Sequence, residues 1–547
     1  MHFAVAPPAG EPPPRPPDRP AIVEHSPRPR QCASRSARRF DVWRRPPYWL
    51  SAISRSGAVP VQRLGEWFAA ITRRILPDPM VIACLLTFLA AALAIAFPQT
   101  AALRDQALAA RGLTVARIWF DGVWSPGFLT FALQMCIVLL AGFGLAQAPA
   151  AMRFLRWLAS GVHNDRGAVL LVAIVSCVGC WVNWGFGLIA AGVLATKVRA
   201  NLERIGRPAN YALIVAAAYA GMMIWHGGLS GSAPLKVAKD GVELPAATTD
   251  AAGERIAPLT VAHTLLAPPN LILTAAVWIG IPLVLASMAG GRETSKEEAG
   301  RSQPEAGERK HGTSDEEQSH GRGDMQRKPS IADRINEARW VSLTLAAGFV
   351  IVLISLLREN GAAAINLNFV NALFLALGLA LHRNLREYVT AVAEGGHAVT
   401  GIILQFPLYA GIQGIMFGAG LAAAMSQGFV DAAAWCAEAW RLPPSETFPI
   451  ATLLSAGLVN FFVPSGGGQW IVQGPIMCDA AQHLGVSIEQ TVMAVAYGDQ
   501  WTNMAQPFWA IPLMGMTGVN IRRFMGYCTL LMLLALPVFA AALLLYS

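Results

Sequence analysis

The two halves of this chain carry the same pair of polar patches, each set inside long hydrophobic sequence. In the first half Asn183 ends an apolar run, and Tyr219 follows 36 residues later. Asn460 and Tyr497 repeat the pair in the second half at a spacing of 37 residues. Apolar segments interrupted by Gly and Pro at matching places in two halves are typical of membrane transporters built from a structural repeat. The pattern therefore predicts that this chain moves a small molecule across a membrane, with the substrate held at broken helices.

The composition supports a membrane protein and argues against a soluble one. Of the 547 residues, 54% are hydrophobic and 14% are charged, whereas an average soluble protein has about 25% charged residues. Arg441 is the only Lys or Arg between positions 401 and 520. The net charge of +8 comes largely from the Arg/Pro-rich segment 1–75, which we predict to be a disordered tail with an amphipathic lead-in to the first span. Basic and aromatic residues do not interleave, so no nucleic-acid partner is predicted.

Many apolar stretches approach the length of about twenty residues that a helix needs to cross a bilayer. The predicted spans are residues 79–97, 125–148, 167–182, 211–226, 270–289, 339–357, 365–382, 396–418, 449–463, 490–505 and 525–546. Shorter apolar pieces, predicted to be re-entrant or broken segments, are 184–195, 419–437, 466–478 and 507–518. The predicted fold is thus an all-α membrane protein with about 11 transmembrane helices plus re-entrant hairpins.

The positions of Lys and Arg predict the orientation, because these residues concentrate in cytoplasmic loops. The predicted domains are the tail 1–75, a first transmembrane repeat 76–289, a cytoplasmic flexible linker 290–338, and 339–547, which holds an extra span and the second repeat. When the Lys- and Arg-rich segments are assigned to the cytoplasmic side, the N-terminus is cytoplasmic and the second repeat is inverted relative to the first. Two inverted repeats supply alternative arrangements of one fold, which is a common route to alternating access.

Three consecutive glycines, Gly466, Gly467 and Gly468, are the strongest candidate for a binding site. Glycine costs a helix about 1 kcal/mol per residue relative to alanine, and broken backbone at membrane depth survives only when it is buried in protein or lines a cavity. Pro464 and Ser465 predict a loop that opens a short helix, whose free N–H groups suit an anion. The alternative is that the glycines only allow close helix packing. The predicted substrate-binding residues are Asn183, Gly185, Gly187, Gly228, Ser230, Ser232, Asn460, Ser465, Gly466, Gly467, Gly468 and Gln469.

The same patches contain candidates for ion coupling. Asn183 and Asn460 could ligate Na+ or bind a carboxylate, or they could cap the helix breaks. Asp499 is one of few carboxylates in the membrane part of the second half and is predicted to carry a proton or bind a cation, unless it is solvated at the end of a span. His226 could titrate near neutral pH, although a lone His beside a Trp is more often a packing residue. The predicted ion-coupling residues are Asp499, Asn503, Asn183 and Asn460, with H+ or Na+ as the coupling ion and no other cofactor or metal.

The scarcity of basic side chains near these patches bears on the substrate. A highly charged anion would need arginines to offset its desolvation, whereas one carboxylate with a small apolar tail can be held by amides, hydroxyls and helix N-termini. We therefore predict a small monocarboxylate. Two other classes stay open: a cation/proton antiporter that exchanges ions at Asp499, and a membrane-embedded enzyme. The enzyme is disfavoured because no zinc-type His pair, Ser/Lys dyad or paired aspartates occurs at workable spacing.

Several motifs resemble the bacterial short-chain fatty acid transporter family. They are 183–187 (NWGFG), 227–232 (GGLSGS), 463–470 (VPSGGGQW), 473–475 (QGP) and 498–510 (GDQWTNMAQPFWA). The resemblance runs from Leu64 to the C-terminus, and it implies uptake of acetoacetate, butyrate or similar acids by a multi-pass protein of the bacterial inner membrane. It also implies membership of a broader ion-transporter group whose members use elevator-like motion and often form homodimers.

Overall fold

The computed structural model describes residues 60–207, 209–244, 255–290 and 330–546. These residues are almost entirely helical, and their β-structure consists of one antiparallel pairing between Val242–Glu243 and Arg255–Ile256. The predicted all-α class is therefore confirmed. Of the predicted tail, residues 1–59 lie outside the described residues, and so do residues 291–329 of the predicted linker.

Most helices of the first half begin at a proline or directly after a capping residue. In chain order they are α1 (Pro60–Ile75), α2 (Pro79–Ala96), α3 (Ala101–Arg104), α4 (Leu108–Val123), α5 (Pro126–Gln147), α6 (Pro149–Ser160), α7 (Asp165–Val182), α8 (Trp184–Arg204), α9 (Tyr211–Tyr219), α10 (Ser232–Asp240) and α11 (Pro268–Ser287). Proline suits the first helical position because its fixed φ is helical and its missing N–H would be unsatisfied there anyway. Asn164 and Asn210 cap α7 and α9 by accepting backbone N–H bonds, as short polar side chains commonly do.

The second half continues the same pattern after the linker. Its helices are α12 (Ile331–Asn336), α13 (Arg339–Asn360), α14 (Leu367–Leu381), α15 (Leu385–Glu394), α16 (Thr400–Gly418), α17 (Leu421–Trp440), α18 (Pro444–Asn460), α19 (Gly466–Leu484), α20 (Ile488–Thr502), α21 (Pro507–Thr517) and α22 (Ile521–Leu544). Asn366 and Asn384 cap α14 and α15, and Ser465 caps α19.

Each predicted span coincides with a helix, but not all of these helices are long. Within the described ranges, eight helical segments are long and apolar enough to cross a membrane. Of the other predicted spans, α14, α18 and α20 are shorter, with 15, 17 and 15 residues. The predicted span 211–226 belongs to a segment, Tyr211–Asp240, that begins with the nine-residue α9 and is then broken. Helices α18 and α20 end at the polar patches identified in the sequence, which accounts for their length.

Helices α9 and α20 lie at the centre of the protein. Every residue of α9 is buried, and so is every residue of α20 from Gln490 to Thr502. A helix that is surrounded by protein on all sides is expected to lack a polar face toward solvent. At the periphery, α13 exposes large apolar side chains such as Ile351, which is 68% exposed, and such a face suits contact with lipid tails.

Both halves place a helical hairpin before a broken helix. In the first half, α7 and α8 are joined by Asn183, and α9 then breaks into 3₁₀ turns before α10 begins. In the second half, α18 and α19 are joined by residues 461–465, and α20 then breaks at Asn503–Ala505 before α21 begins. This shared order is the structural counterpart of the repeated Asn–Tyr spacing. The opposite membrane orientation of the two halves stays a prediction.

Candidate functional site

The breaks of the two central helices meet and satisfy each other's backbone groups. The backbone N–H groups of His226 and Gly227 both donate to Oε1 of Gln500, at 2.9 Å each. In return, the hydroxyl of Tyr219 donates to the carbonyl of Asn503 at 2.8 Å. Backbone groups freed by a helix break need such partners, because water is scarce at this depth. The two halves of the chain therefore join at a polar centre.

A buried pair, His226 and Asp499, lies at this centre. Nδ1 of His226 is 2.7 Å from Oδ2 of Asp499, and the two side chains are 0% and 2% exposed. The backbone N–H of Ala233 donates to Nε2 of the same ring at 3.0 Å. Nε2 must therefore carry a lone pair, so the ring proton sits on Nδ1 and is donated to the carboxylate. His226 and Asp499 are predicted candidates from different halves, and the fold brings them together.

The two asparagines at matching repeat positions have different roles. Oδ1 of Asn183 accepts the backbone N–H bonds of Gly185 and Phe186 at 3.1 Å each, so this side chain caps α8. Nδ2 of Asn460 instead lies 2.9 Å from the carbonyl of Asp499 and 2.9 Å from Oδ1 of Asn503. Oδ1 of Asn460 is buried and has no hydrogen-bond partner among the described residues.

The start of α19 lies against the break of the first half. A Cβ atom added to Gly466 would lie 2.6 Å from Cε1 of His226 and 2.8 Å from Cη2 of Trp225. A Cβ on Gly467 would have ordinary contact with Ser232, at 3.7 Å. The Gly468 N–H donates to the Ser465 hydroxyl, whereas no protein acceptor in the described ranges takes the N–H of Gly466 or Gly467. Free N–H groups at a helix start suit an anion, so substrate binding at this turn stays a prediction.

The corresponding start of α8 is already satisfied by protein groups. Asn183 accepts the N–H of Gly185, and the Ser230 hydroxyl accepts the N–H of Trp184 at 3.2 Å. Gly187 and Gly228 pack closely, since an added Cβ would come 2.1 Å from the Cys180 nitrogen and 2.3 Å from the Trp181 oxygen respectively. For these two glycines, close packing explains the residue type. Among the predicted substrate-binding residues, Gly466 and Gly467 have free N–H groups within the described ranges. Asn460 and Gln469 each have a buried side-chain oxygen without a partner there.

A polar stripe on α16 approaches the same turn. Gln405, Tyr409 and Gln413 occupy one face at i, i+4 and i+8, and each has a buried side-chain oxygen with no partner in the described parts of the chain. Nε2 of Gln413 would lie 2.6 Å from a Cβ on Gly468, so its amide flanks the first turn of α19. In the sequence these residues are uncharged polar groups to which no role is assigned. Their four-residue spacing nevertheless indicates that they share one helix face. Gln469, which is also predicted, bonds within the hairpin to Ala456 and Gln473.

Aromatic side chains surround this polar centre. Trp184 packs against Trp225 and Trp509, with ring centroids 6.3 and 4.8 Å apart. Phe508 stacks on Phe406 at 4.0 Å and contacts Tyr409 at 4.9 Å. The arrangement combines free N–H groups and amides with apolar ring faces, and it is suited to a small molecule that has one polar end.

Gly187→Ala should reduce the amount of correctly folded protein severely. The added methyl group would collide with backbone atoms of α7, which cannot rotate away as a flexible side chain can, and overpacking costs about 1–3 kcal/mol or more. Gly185→Ala is the matched control, because a Cβ added to Gly185 would come no closer than 3.4 Å to its nearest neighbour, Oδ1 of Asn183. The yield of monodisperse protein after detergent extraction measures the difference. Equal yields from the two variants would contradict close packing at Gly187.

Comparison with known proteins identifies the family. The family profile described as Short chain fatty acid transporter matches residues 60–546. A relative from Escherichia coli (strain K12) is 33% identical over 489 residues, which cover 89% of this chain and 100% of the relative. A relative from Haemophilus influenzae (strain ATCC 51907 / DSM 11121 / KW20 / Rd) is 31% identical over 481 residues, which cover 88% and 98%. Both relatives are provisionally named short-chain fatty acid transporters.

Two solved structures of transporters are more distant. The Alcanivorax borkumensis YdaH transporter has 17% identity and a TM-score of 0.38, covering 86% of this chain and 98% of its own. Neisseria gonorrhoeae MtrF has 17% identity and a TM-score of 0.34, covering 89% and 96%. At these scores neither structure carries a conclusion about this chain. The family profile and the two relatives do: this protein belongs to the short-chain fatty acid transporter family and is a multi-pass bacterial membrane transporter, not an enzyme.

Proposed function

We propose that this transporter takes up a short-chain monocarboxylate such as acetoacetate or butyrate across the inner membrane, in symport with H+ or Na+. The observation that carries the proposal is the first turn of α19, where the N–H groups of Gly466 and Gly467 have no protein acceptor in the described ranges. Two adjacent N–H groups at a helix N-terminus suit one carboxylate. The Ser232 hydroxyl and the Gln413 amide lie beside this turn and would complete the hydrogen bonding of the carboxylate.

The charge of the surroundings favours a single negative charge on the substrate. Among the described residues, His226 is the only cationic candidate that hydrogen-bonds within the polar centre, and it is already engaged with Asp499. A dicarboxylate or a phosphate ester would leave a second charge without a cation, and burying an unpaired charge is costly. The aromatic rings of Trp184, Trp225 and Phe508 would cover a short apolar tail of the substrate.

Accumulation of an anion requires a coupled cation. An inside-negative potential opposes entry of each negative charge by about 2.3 kcal/mol per 100 mV. The predicted coupling residues Asp499, Asn460 and Asn503 form one hydrogen-bonded cluster. For a proton, Asp499 and His226 offer the titratable pair. For Na+, the unpartnered Oδ1 of Asn460 is a candidate ligand, because hard cations prefer oxygen donors. Asn183, as the cap of α8, would support the hairpin next to this cluster.

Purified protein in lipid vesicles should take up labelled acetoacetate faster than protein-free vesicles do. An inward H+ or Na+ gradient is expected to raise the initial rate, since the ion drives the anion inward. Unlabelled butyrate should compete, whereas butyramide and succinate should not, because one lacks the carboxylate and the other carries a second. Uptake equal to that of protein-free vesicles would contradict the proposal. Ion exchange that is independent of acetoacetate would instead favour the alternative, a cation/proton antiporter working through Asp499.

A further inference from the structure

The hydrogen bonds of His226 define a proton acceptor with a specific partner. Its Nδ1–H is donated to Asp499, while its Nε2 lone pair accepts the backbone N–H of Ala233. Ala233 lies in the first turn of α10, which follows the broken end of α9. A proton added to Nε2 would remove the acceptor of that N–H and would place two donors face to face. Protonation of the ring therefore opposes the present position of α10.

We propose that the coupling ion is a proton, that Nε2 of His226 takes it up, and that this uptake releases the first turn of α10. The inference rests on the proposed symport and assigns its ion and its site. The proton comes from water on the side to which the centre is open. It bonds to the Nε2 lone pair, and the Nδ1–H bond to Asp499 stays. The pair thereby changes from a neutral imidazole beside a carboxylate, with net charge −1, to an imidazolium–carboxylate ion pair with net charge 0. His226 acts as a positioning residue, because it moves α10 and does not itself bind the carboxylate.

The first turn of α19 lies against the His226 ring and against the start of α10. A Cβ on Gly466, at the start of α19, would lie 2.6 Å from Cε1 of His226, and a Cβ on Gly467 would lie 3.7 Å from Ser232, the first residue of α10. In the described conformation the ring is fully buried, with the start of α19 and the stacked Trp225 ring against it. Protonation therefore requires the turn to move off the ring, and a protonated ring then changes the position of Ser232 beside the substrate. The same movement of the turn therefore exposes both the ring and the substrate site.

Other ionisable groups on the neighbouring elements do not replace Asp499 in this role. Those on the packed elements are Cys177, Cys180, Asp165 and Arg166 on α7, Lys236, Lys239 and Asp240 on α10, Cys478, Asp479 and His483 on α19, and Glu489 and Tyr497 on α20. Lys236 pairs with Asp240 in an exposed position, and the Tyr497 hydroxyl donates to Asn270. Within the described ranges, the His226 ring hydrogen-bonds only to Asp499 and Ala233.

His226→Gln tests the assignment, because a glutamine can accept the Ala233 N–H and donate to Asp499 but cannot take up a proton. In the parent, an inward gradient of one pH unit can drive up to about tenfold accumulation for one coupled proton. In the parent, we expect this gradient to raise the initial rate of acetoacetate uptake several-fold, after the rate measured with protein-free vesicles has been subtracted. In His226→Gln the rate should be unchanged by the gradient, while exchange of internal for external acetoacetate continues. His382→Gln is the matched control, since His382 is also buried but bonds to the Gly144 carbonyl elsewhere.

A second measurement needs no substrate. Hydrogen–deuterium exchange of the peptide that covers residues 232–240, corrected for the intrinsic pH dependence of exchange, should accelerate as the pH is lowered in the parent and stay constant in His226→Gln. Constant protection in the parent, or proton-stimulated uptake in His226→Gln, would overturn the proposal, as would stimulation by Na+ alone. If the parent transports no monocarboxylate but its α10 amides still respond to pH, the proposed substrate is wrong and the proton site stands. Should His226→Gln fail to fold, the pH response of the parent alone decides the matter.

Discussion

Asp499→Asn should leave acetoacetate exchange running while it removes accumulation driven by an ion gradient. Asparagine can still accept the Nδ1–H of His226, so the polar centre keeps its hydrogen bonds. The carboxylate charge is lost, however, and with it the counter-charge for a protonated ring or a bound Na+. Without coupling, an inside-negative potential of 100 mV disfavours a monoanion by about 2.3 kcal/mol, which is roughly fiftyfold in concentration.

Vesicles with an imposed ion gradient measure this loss. Asp431→Asn is the matched control, because it removes an exposed carboxylate from α17, far along the chain from the polar centre. Its accumulation ratio should equal that of the parent. If Asp499→Asn concentrates the acid as well as the parent does, Asp499 is structural, and the coupling site has to be sought among Asn183, Asn460 and the carbonyls of the broken helices.

Gly466→Ala should abolish most acetoacetate uptake, whereas Gly467→Ala should retain it. Alanine is the better helix former by about 1 kcal/mol, so helix propensity alone predicts no loss from either change. The methyl group at position 466 would overlap the His226 and Trp225 rings, while position 467 has room for it beside Ser232. Displacing packed rings costs about 1–3 kcal/mol, which corresponds to roughly a 5- to 150-fold reduction in the initial rate if the turn must close on the substrate.

Both variants should reach the membrane at the level of the parent, and detergent-solubilised protein should elute as one peak. Initial uptake rates then isolate the effect on the turn. Normal transport by Gly466→Ala would show that contact between this turn and His226 has no role in transport. An equal loss in Gly467→Ala would mean that the turn tolerates no side chain at all, so the selective steric argument would be wrong.

Local sequence predicted where the helices and their breaks lie. The predicted spans coincide with helices because the preference of an apolar segment for a hydrogen-bonded helix in lipid depends on that segment alone. The break at residues 461–465, which contains Pro464 and directly precedes the triple glycine, and the cap that Asn183 provides for α8 also follow from local conformational preferences. The family motifs could likewise be recognised from local sequence, since each lies within about a dozen residues.

Only the tertiary structure decided which polar residues work together. His226 and Asp499 are 273 residues apart, and Gln413 meets Gly468 from another helix. Asn183 and Asn460 look equivalent in sequence, yet one caps its own helix and the other bonds across to α20. The reason is physical: hydropathy and helix breaking act over one or two turns, whereas hydrogen-bond partners and steric clearance depend on how separate helices pack. The sequence by itself determined that this is a helical membrane transporter with two broken centres, and the packing of those centres decided which groups are free to bind.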